Sequence, residues 1–239
     1  MSERQCVFCG SNGKLTSSHV IGRKFMKALP GTKDNFGYWE YSTDPRHRPV
    51  QRVTNVDPRE QKPNSLCRDC NNVWMERYEK EVTEVLLSLA KGESRTISRD
   101  DQEILAKWAY IACIVRATVT QQKHISEEDR RLIRRENKIP EGYRFWLYQG
   151  VERHDWPTRF QWATDTEGRQ GWVAWLWIGH AIIVVSSPLW ADVFELTSGT
   201  IAPYRRHFYW DNDAIDWPLY PESFLEHEEF VRATTLRSL

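Results

Sequence analysis

Four of the five cysteines fall in two C-x-x-C pairs, Cys6 and Cys9 in CVFCG and Cys67 and Cys70 in CRDC. A thiolate is a soft ligand, and two such pairs satisfy the tetrahedral preference of Zn²⁺, with Zn–S bonds of about 2.3 Å. The pattern predicts a structural Zn²⁺ held by Cys6, Cys9, Cys67 and Cys70. A redox dithiol needs a single pair in a thioredoxin-like βαβ setting, which this sequence does not offer. A disulfide framework is also disfavoured. The cysteine count is odd, and the start, MSERQCVFCG, lacks the apolar run of a secretory signal. The fifth cysteine, Cys113 in WAYIACIVRA, reads as an inert core residue.

Other residues near these pairs are capable of chemistry. His19 stands in LTSSHVIGRKFM, ahead of Val20 and Ile21. Asn64 shortly precedes the second pair, and Asn71 and Asn72 follow it at once. Each has a plain structural alternative. His19 could be a buried strand histidine, Asn64 a turn residue beside Pro63, and Asn71 a cap of the following helix. Taken together, CxxCG, SHVIG and N-x-x-C-x-x-C-N-N-x-W-M resemble the HNH nuclease family, with its ββα-metal fold, in the variant held by two zinc-binding C-x-x-C knuckles. The resemblance covers roughly residues 5 to 80.

What the resemblance implies is carried over position by position. His19 would be the general base that activates water. Asn64 would orient its ring, and Asn71 would be a ligand of a catalytic divalent ion, Mg²⁺ or Mn²⁺. The chemistry is coherent. Phosphodiester hydrolysis needs a base beside a water and a cation on the phosphate oxygens. Histidine, with an ordinary pKa of about 6.5, suits the first task. Mg²⁺ keeps several waters and needs few protein ligands. Arg23 and Lys24, with Arg46 and Arg48 in the insert that follows, are candidate contacts to a DNA backbone. A stand-alone nuclease of this kind would suit bacterial or phage defence, by family analogy alone.

Two positions depart from the family pattern. Relatives carry an acid before the histidine, where this chain has Ser18, and a proline where it has Gly22. A hydroxyl is a poor substitute for a carboxylate. Either Asn71 and waters hold the ion, helped by an acid such as Asp34, Asp44 or Asp57, or the site has decayed and the module only binds nucleic acid or protein.

The totals set bounds. The chain has 239 residues, is 40% hydrophobic and 28% charged, and has a formal net charge of zero. It is long enough to bury a true core. Without any run of about 18 apolar residues, no membrane span is expected, and the reading is a cytoplasmic protein. The first 78 residues carry 13 Lys and Arg against 8 Asp and Glu, and the remaining 161 carry 20 against 25. A basic first third is compatible with a polyanionic partner.

The elements that must position these groups are partly legible. Residues 30–65 are rich in Pro, Gly, Asn and Asp and read as a long irregular insert, with one short strand near Tyr38–Tyr41. Met75, Tyr78, Val82, Val85, Leu86 and Leu89 mark one face of an amphipathic helix that Gly92 should stop. A second helix should start at Asp100 or Asp101 and run to about Gln121. A third should start at Ser126, ahead of three acids, and end before Pro140. From Tyr143 the runs YRFWLYQG, RFQWAT, WVAWLWI and AIIVVS read as strands, with Gly179-His180 as a hairpin turn between the last two. Nine of the twelve tryptophans lie between Trp146 and Trp217. The end, PESFLEHEEFVRATTLRSL, reads as a terminal helix. The expected architecture is α+β: an HNH-like zinc-bound module over 1–95 with its insert at 30–65, then a helical segment and a Trp-rich antiparallel sheet over 96–239. The second part has no motif of its own. It is a candidate for recognition, regulation or homodimer formation.

Overall fold

The computed structural model describes residues 5–28, 36–40, 50–54, 63–119, 125–153, 158–164, 167, 169–191, 205–208 and 213–219. Arg46, Arg48, Asp34, Asp44, Asp57 and the expected terminal helix lie outside these residues.

The chain mixes helix and strand. Near its start, β1 (Thr16–Ser17) pairs antiparallel with β4 (Asn64–Leu66), with Thr16 opposite Leu66 and Ser17 opposite Asn64. Between them come α1 (Arg23–Ala28) and a separate antiparallel pair, β2 (Phe36–Glu40) with β3 (Val50–Thr54). The insert thus holds two paired strands where one was expected. After β4 a π-helical turn (Cys70–Met75) runs into α2 (Glu76–Lys91). Then follow β5 (Arg95–Ile97), α3 (Arg99–Val119) and α4 (Glu127–Glu136). The sheet has the order β7 (Thr158–Thr164), β8 (Gln170–Ser186), β6 (Arg144–Arg153), β9 (Arg205–His207), antiparallel throughout. A last strand, β10 (Ile215–Trp217), pairs with β5.

The helix ends follow local chemistry. Gly92 adopts φ 70° and caps α2, and the amides of Gly92 and Glu93 return to the carbonyls of Leu89 and Ser88. Ser126 caps α4 by accepting from the Asp129 amide at 3.0 Å. The start of α3 differs from expectation. Ser98 is the cap, not Asp100 or Asp101. Its Oγ accepts from the Asp101 amide at 3.2 Å, while the Asp101 carboxylate accepts from the Ser98 amide at 3.1 Å. This is a reciprocal capping box with Asp in place of the usual Glu.

The expected hairpin at Gly179-His180 is corrected. WVAWLWI and AIIVVS form one 17-residue strand, β8, whose first half pairs with β7 and whose second half pairs with β6. The pair nevertheless has a structural purpose. Trp172, Ala174, Leu176 and Ile178 face the helices, and beyond Gly179 the facing residues become Ala181, Ile183 and Val185. The alternation slips by one, as a bulge requires. Gly179 supplies a left-handed φ of 57°, and it lies so close to the Ala90 carbonyl at the end of α2 that a Cβ would collide with it.

One cluster of buried side chains runs from Phe8, Leu66 and Trp74 beside the cysteines, through Leu86, Leu89 and Trp108, to Phe145, Trp172 and Ile183 on the sheet. The interior is therefore continuous across residues 92–99. A second cluster, with Trp146, Trp175, Trp177 and Ile182, occupies the other face of the sheet and is buried as well.

Candidate metal centre and the polar site beside it

The two cysteine pairs are brought together by backbone geometry set in each knuckle. In the first, the Cys6 amide bonds to the Ser11 carbonyl at 3.0 Å and the Gly10 amide to the Cys6 carbonyl at 2.9 Å. Gly10 closes this turn at φ 72°, a conformation that favours glycine. The Val7 amide then ties the knuckle to Ser65 of β4 at 2.9 Å, and the Asn71 amide closes the second knuckle on the Cys67 carbonyl at 3.0 Å. The four sulfurs lie within 4.8 Å of one another, and the Cys9–Cys67 Sγ separation is 3.7 Å. Four sulfurs bonded tetrahedrally at about 2.3 Å from one ion stand about 3.8 Å apart. The cluster is positioned to hold one metal ion and is compatible with structural zinc.

The buried thiols perturb one another in opposite directions. The Cys6 thiol is held down to about 4, first by its hydrogen bond with Cys70, with backbone amides adding to the effect against the opposing burial. The Cys70 thiol is pushed far up by the same bond and by burial. A fifth group completes the surroundings. Arg134 of α4 donates from Nε to Cys70 Sγ at 3.4 Å, and its guanidinium lies 5.4 Å from the centre of the Trp74 ring. Contact with Cys70 in turn raises the Arg134 pKa above its ordinary value. Four thiolates around a divalent ion are doubly negative, so a cation bonded to one sulfur offsets charge in a half-buried setting. Arg134→Gln is expected to lower metal affinity about tenfold, the lower end of the usual loss for an outer partner of a metal ligand. Competition with a chromogenic chelator measures it.

The π turn explains how one short segment serves several surfaces. An i→i+5 turn widens the helix by a residue. It lets Cys70, Trp74 and Met75 all point inward, while Asn71 faces β1. Asn71 Nδ2 donates to Thr16 Oγ1 at 3.0 Å and to the Ser17 carbonyl at 3.1 Å. The Ser17 carbonyl is an acceptor only, which fixes the orientation of the amide and leaves Oδ1 as its remaining functional atom. Ser17 Oγ donates to Asn64 Oδ1 at 2.8 Å. Asn71, Ser17 and Asn64 thus form one connected network joining the helix, β1 and β4.

His19 lies two residues beyond β1 and is half-buried. Asn64 is exposed, and its hydrogen bond runs to Ser17. Arg23 and Lys24 are the first two residues of α1. Ser18 is 3% exposed. Its amide bonds to the Pro63 carbonyl and its hydroxyl donates to the His19 carbonyl at 3.3 Å. Position 18 is therefore an internal strut. Gly22 is buried against the Glu79 carboxylate of α2, where a Cβ would collide with it.

Sequence reasoning missed Arg134, Ser17 and Glu79. EEDRRLIRRE reads as a charged, solvated helix, and no local signal marks which of its arginines turns toward a distant sulfur. Searches against protein-family models, curated proteins and solved structures returned no match for this chain. Among the described residues, no helix is long and apolar enough to cross a membrane.

Proposed function

We propose that the chain is a metal-dependent endonuclease of the HNH type that hydrolyses DNA phosphodiester bonds. The observation that carries this reading is the network in which Asn71, directly after the last cysteine, bonds to β1 while β1 pairs with β4. Two short antiparallel strands followed by a helix, fastened by a four-cysteine cluster, is the order of parts that a ββα-metal site needs. In this reading Cys6, Cys9, Cys67 and Cys70 hold structural Zn²⁺, and His19, just past β1, takes the proton from the attacking water. Asn64 steadies the β1 end through Ser17, and Asn71 offers Oδ1 to a hard cation. Mg²⁺ or Mn²⁺, when bound, supplies neutralisation of charge on the phosphate oxygens. Arg23 and Lys24, with Arg46 and Arg48, meet the DNA backbone. Because Trp146, Trp175 and Trp177 are buried within one chain, a homodimer would use a different surface.

One observation favours a second reading, a zinc-held module that binds DNA or protein without cutting. Ser18 stands where an acid ligand is expected, and its hydroxyl is turned inward and used. Supercoiled plasmid incubated with the zinc-loaded protein separates the two. The nuclease reading expects nicking with Mg²⁺ or Mn²⁺ and none in EDTA. Intact plasmid under every divalent ion, with DNA binding retained, establishes the second.

A further inference from the structure

A cleft of about 310 Å³ opens between the first knuckle, β4, the end of α3 and the start of α4. Gly10, Asn64, Thr118, Glu127, Arg130 and Arg131 line it. Arg130 is half-buried. Its Nε is shielded from solvent without a hydrogen-bond partner, and no carboxylate forms an ion pair with it among the described residues. Burial, with the neighbouring Arg131, depresses its pKa below the ordinary value against the opposing pull of Glu127 and Asp129. A half-buried guanidinium with an unpaired Nε gains from an anion that meets it. Arg131 is only partly satisfied. One terminal nitrogen pairs with Glu127, its Nε is also shielded without a partner, and the guanidinium lies over Gly10, where a Cβ would sit 2.7 Å from Nη2. The glycine keeps that side open. Arg130 and Arg131 face the exposed Glu127 carboxylate, while the Asp129 carboxylate, which also acts on Arg130, accepts from Tyr143 Oη at 2.9 Å.

We propose that this cleft binds a phosphate group of a polynucleotide strand, with Arg130 as the principal cation and Arg131 as the second. The planar fork of a guanidinium matches two phosphate oxygens. The phosphate chemistry rests on the cleft itself, and the polynucleotide as its source rests on the nuclease reading. Asn64 joins the two places. It lines the cleft and, through Ser17, belongs to the network that holds Asn71. The cleft and the Asn71 network thus share Asn64 as a common wall.

The test is the anisotropy of a fluorescein-labelled DNA oligonucleotide, titrated with the full-length, zinc-loaded chain without other divalent ions over a range of salt. Arg130→Gln is expected to weaken binding about tenfold and to reduce the salt slope by about one, as the loss of one phosphate contact does. Glu127→Gln removes the opposing charge and is expected to tighten binding about twofold, a gain that misfolding cannot imitate. Zinc content and circular dichroism of each variant confirm its fold. If Arg130→Gln and Glu127→Gln both bind as the parent does, the cleft is not a phosphate site. Inorganic phosphate supplies the competing arm. Displacement only at millimolar concentration supports the polynucleotide, whereas displacement at micromolar concentration assigns the cleft to a free phosphate and overturns it. The two proposals fail separately. Arg130-dependent binding without nicking removes the nuclease reading alone, and His19-dependent nicking with Arg130-independent binding removes the cleft alone.

Discussion

Cys67→Ser is expected to strip the protein of its metal and to unfold the region around β1, β4 and the π turn. The parent should carry about one zinc per chain, and the variant almost none. A tetrathiolate site contributes apparent binding energies of about 10–16 kcal/mol in small zinc modules, comparable with the whole folding stability of about 5–15 kcal/mol of an ordinary domain. The loss should also spread. Phe8, Leu66 and Trp74 belong to the same buried cluster as Leu89, Trp108 and Phe145, so the unfolding of the knuckles uncovers apolar surface on α2 and α3. A lower urea midpoint and loss of near-ultraviolet dichroism are the expected signs. Cys113→Ala is the control. Cys113 is wholly buried in α3 away from the four-sulfur cluster, and burial pushes its thiol up, away from thiolate. That variant should lose some packing energy and keep its zinc. A soluble Cys67→Ser protein without zinc but with the parent's dichroism and urea midpoint would contradict the structural role of the cluster.

His19→Ala is expected to lower the rate of plasmid nicking by about 10²–10⁴-fold, the usual contribution of a positioned general base. Folding should be little affected, because His19 is a half-buried residue two positions beyond β1 and outside the main apolar cluster, although its Nε2 is shielded from solvent. The effect should therefore fall on the rate at saturating DNA, while zinc content and melting temperature stay close to the parent's. That combination separates a catalytic role from a structural one. A variant that nicks as fast as the parent would remove His19 from the mechanism and assign the activity to another site or to a contaminant. A variant that loses zinc or melts early would make the histidine a structural residue.

The parts of the chain that were legible in sequence are those fixed by local chemistry. Two C-x-x-C pairs converge because each knuckle is a turn of a few residues, and the ligand atoms follow once the turns meet. The span of α2 is set by a periodic apolar face and by Gly92, and the start of α4 by Ser126. Each of these signals lies within one element. What escaped notice depends on contacts between elements. Gly179-His180 has the composition of a hairpin turn, yet the glycine is required by the nearness of Ala90 in α2, 89 residues earlier in a different element. Arg134 likewise answers to Cys70. The cap of α3 was misplaced by two or three residues because Asp101 bonds backward to the Ser98 amide, so the same aspartate that suggested a cap is the partner of the true one. At the polar site, the residue types at 19, 64 and 71 were readable. Ser17 as the link between Asn64 and Asn71 was not, since a serine in a short strand carries no mark of its partners.

Two segments, nearly sixty residues apart, deliver their sulfurs to one small cluster. X-ray absorption at the zinc edge of the purified protein tests this most directly. Four sulfur neighbours at about 2.3 Å, with no nitrogen or oxygen in the same shell, is the predicted result. A zinc ion with light-atom neighbours replacing some of the sulfurs, or a folded protein that holds no zinc, would contradict it.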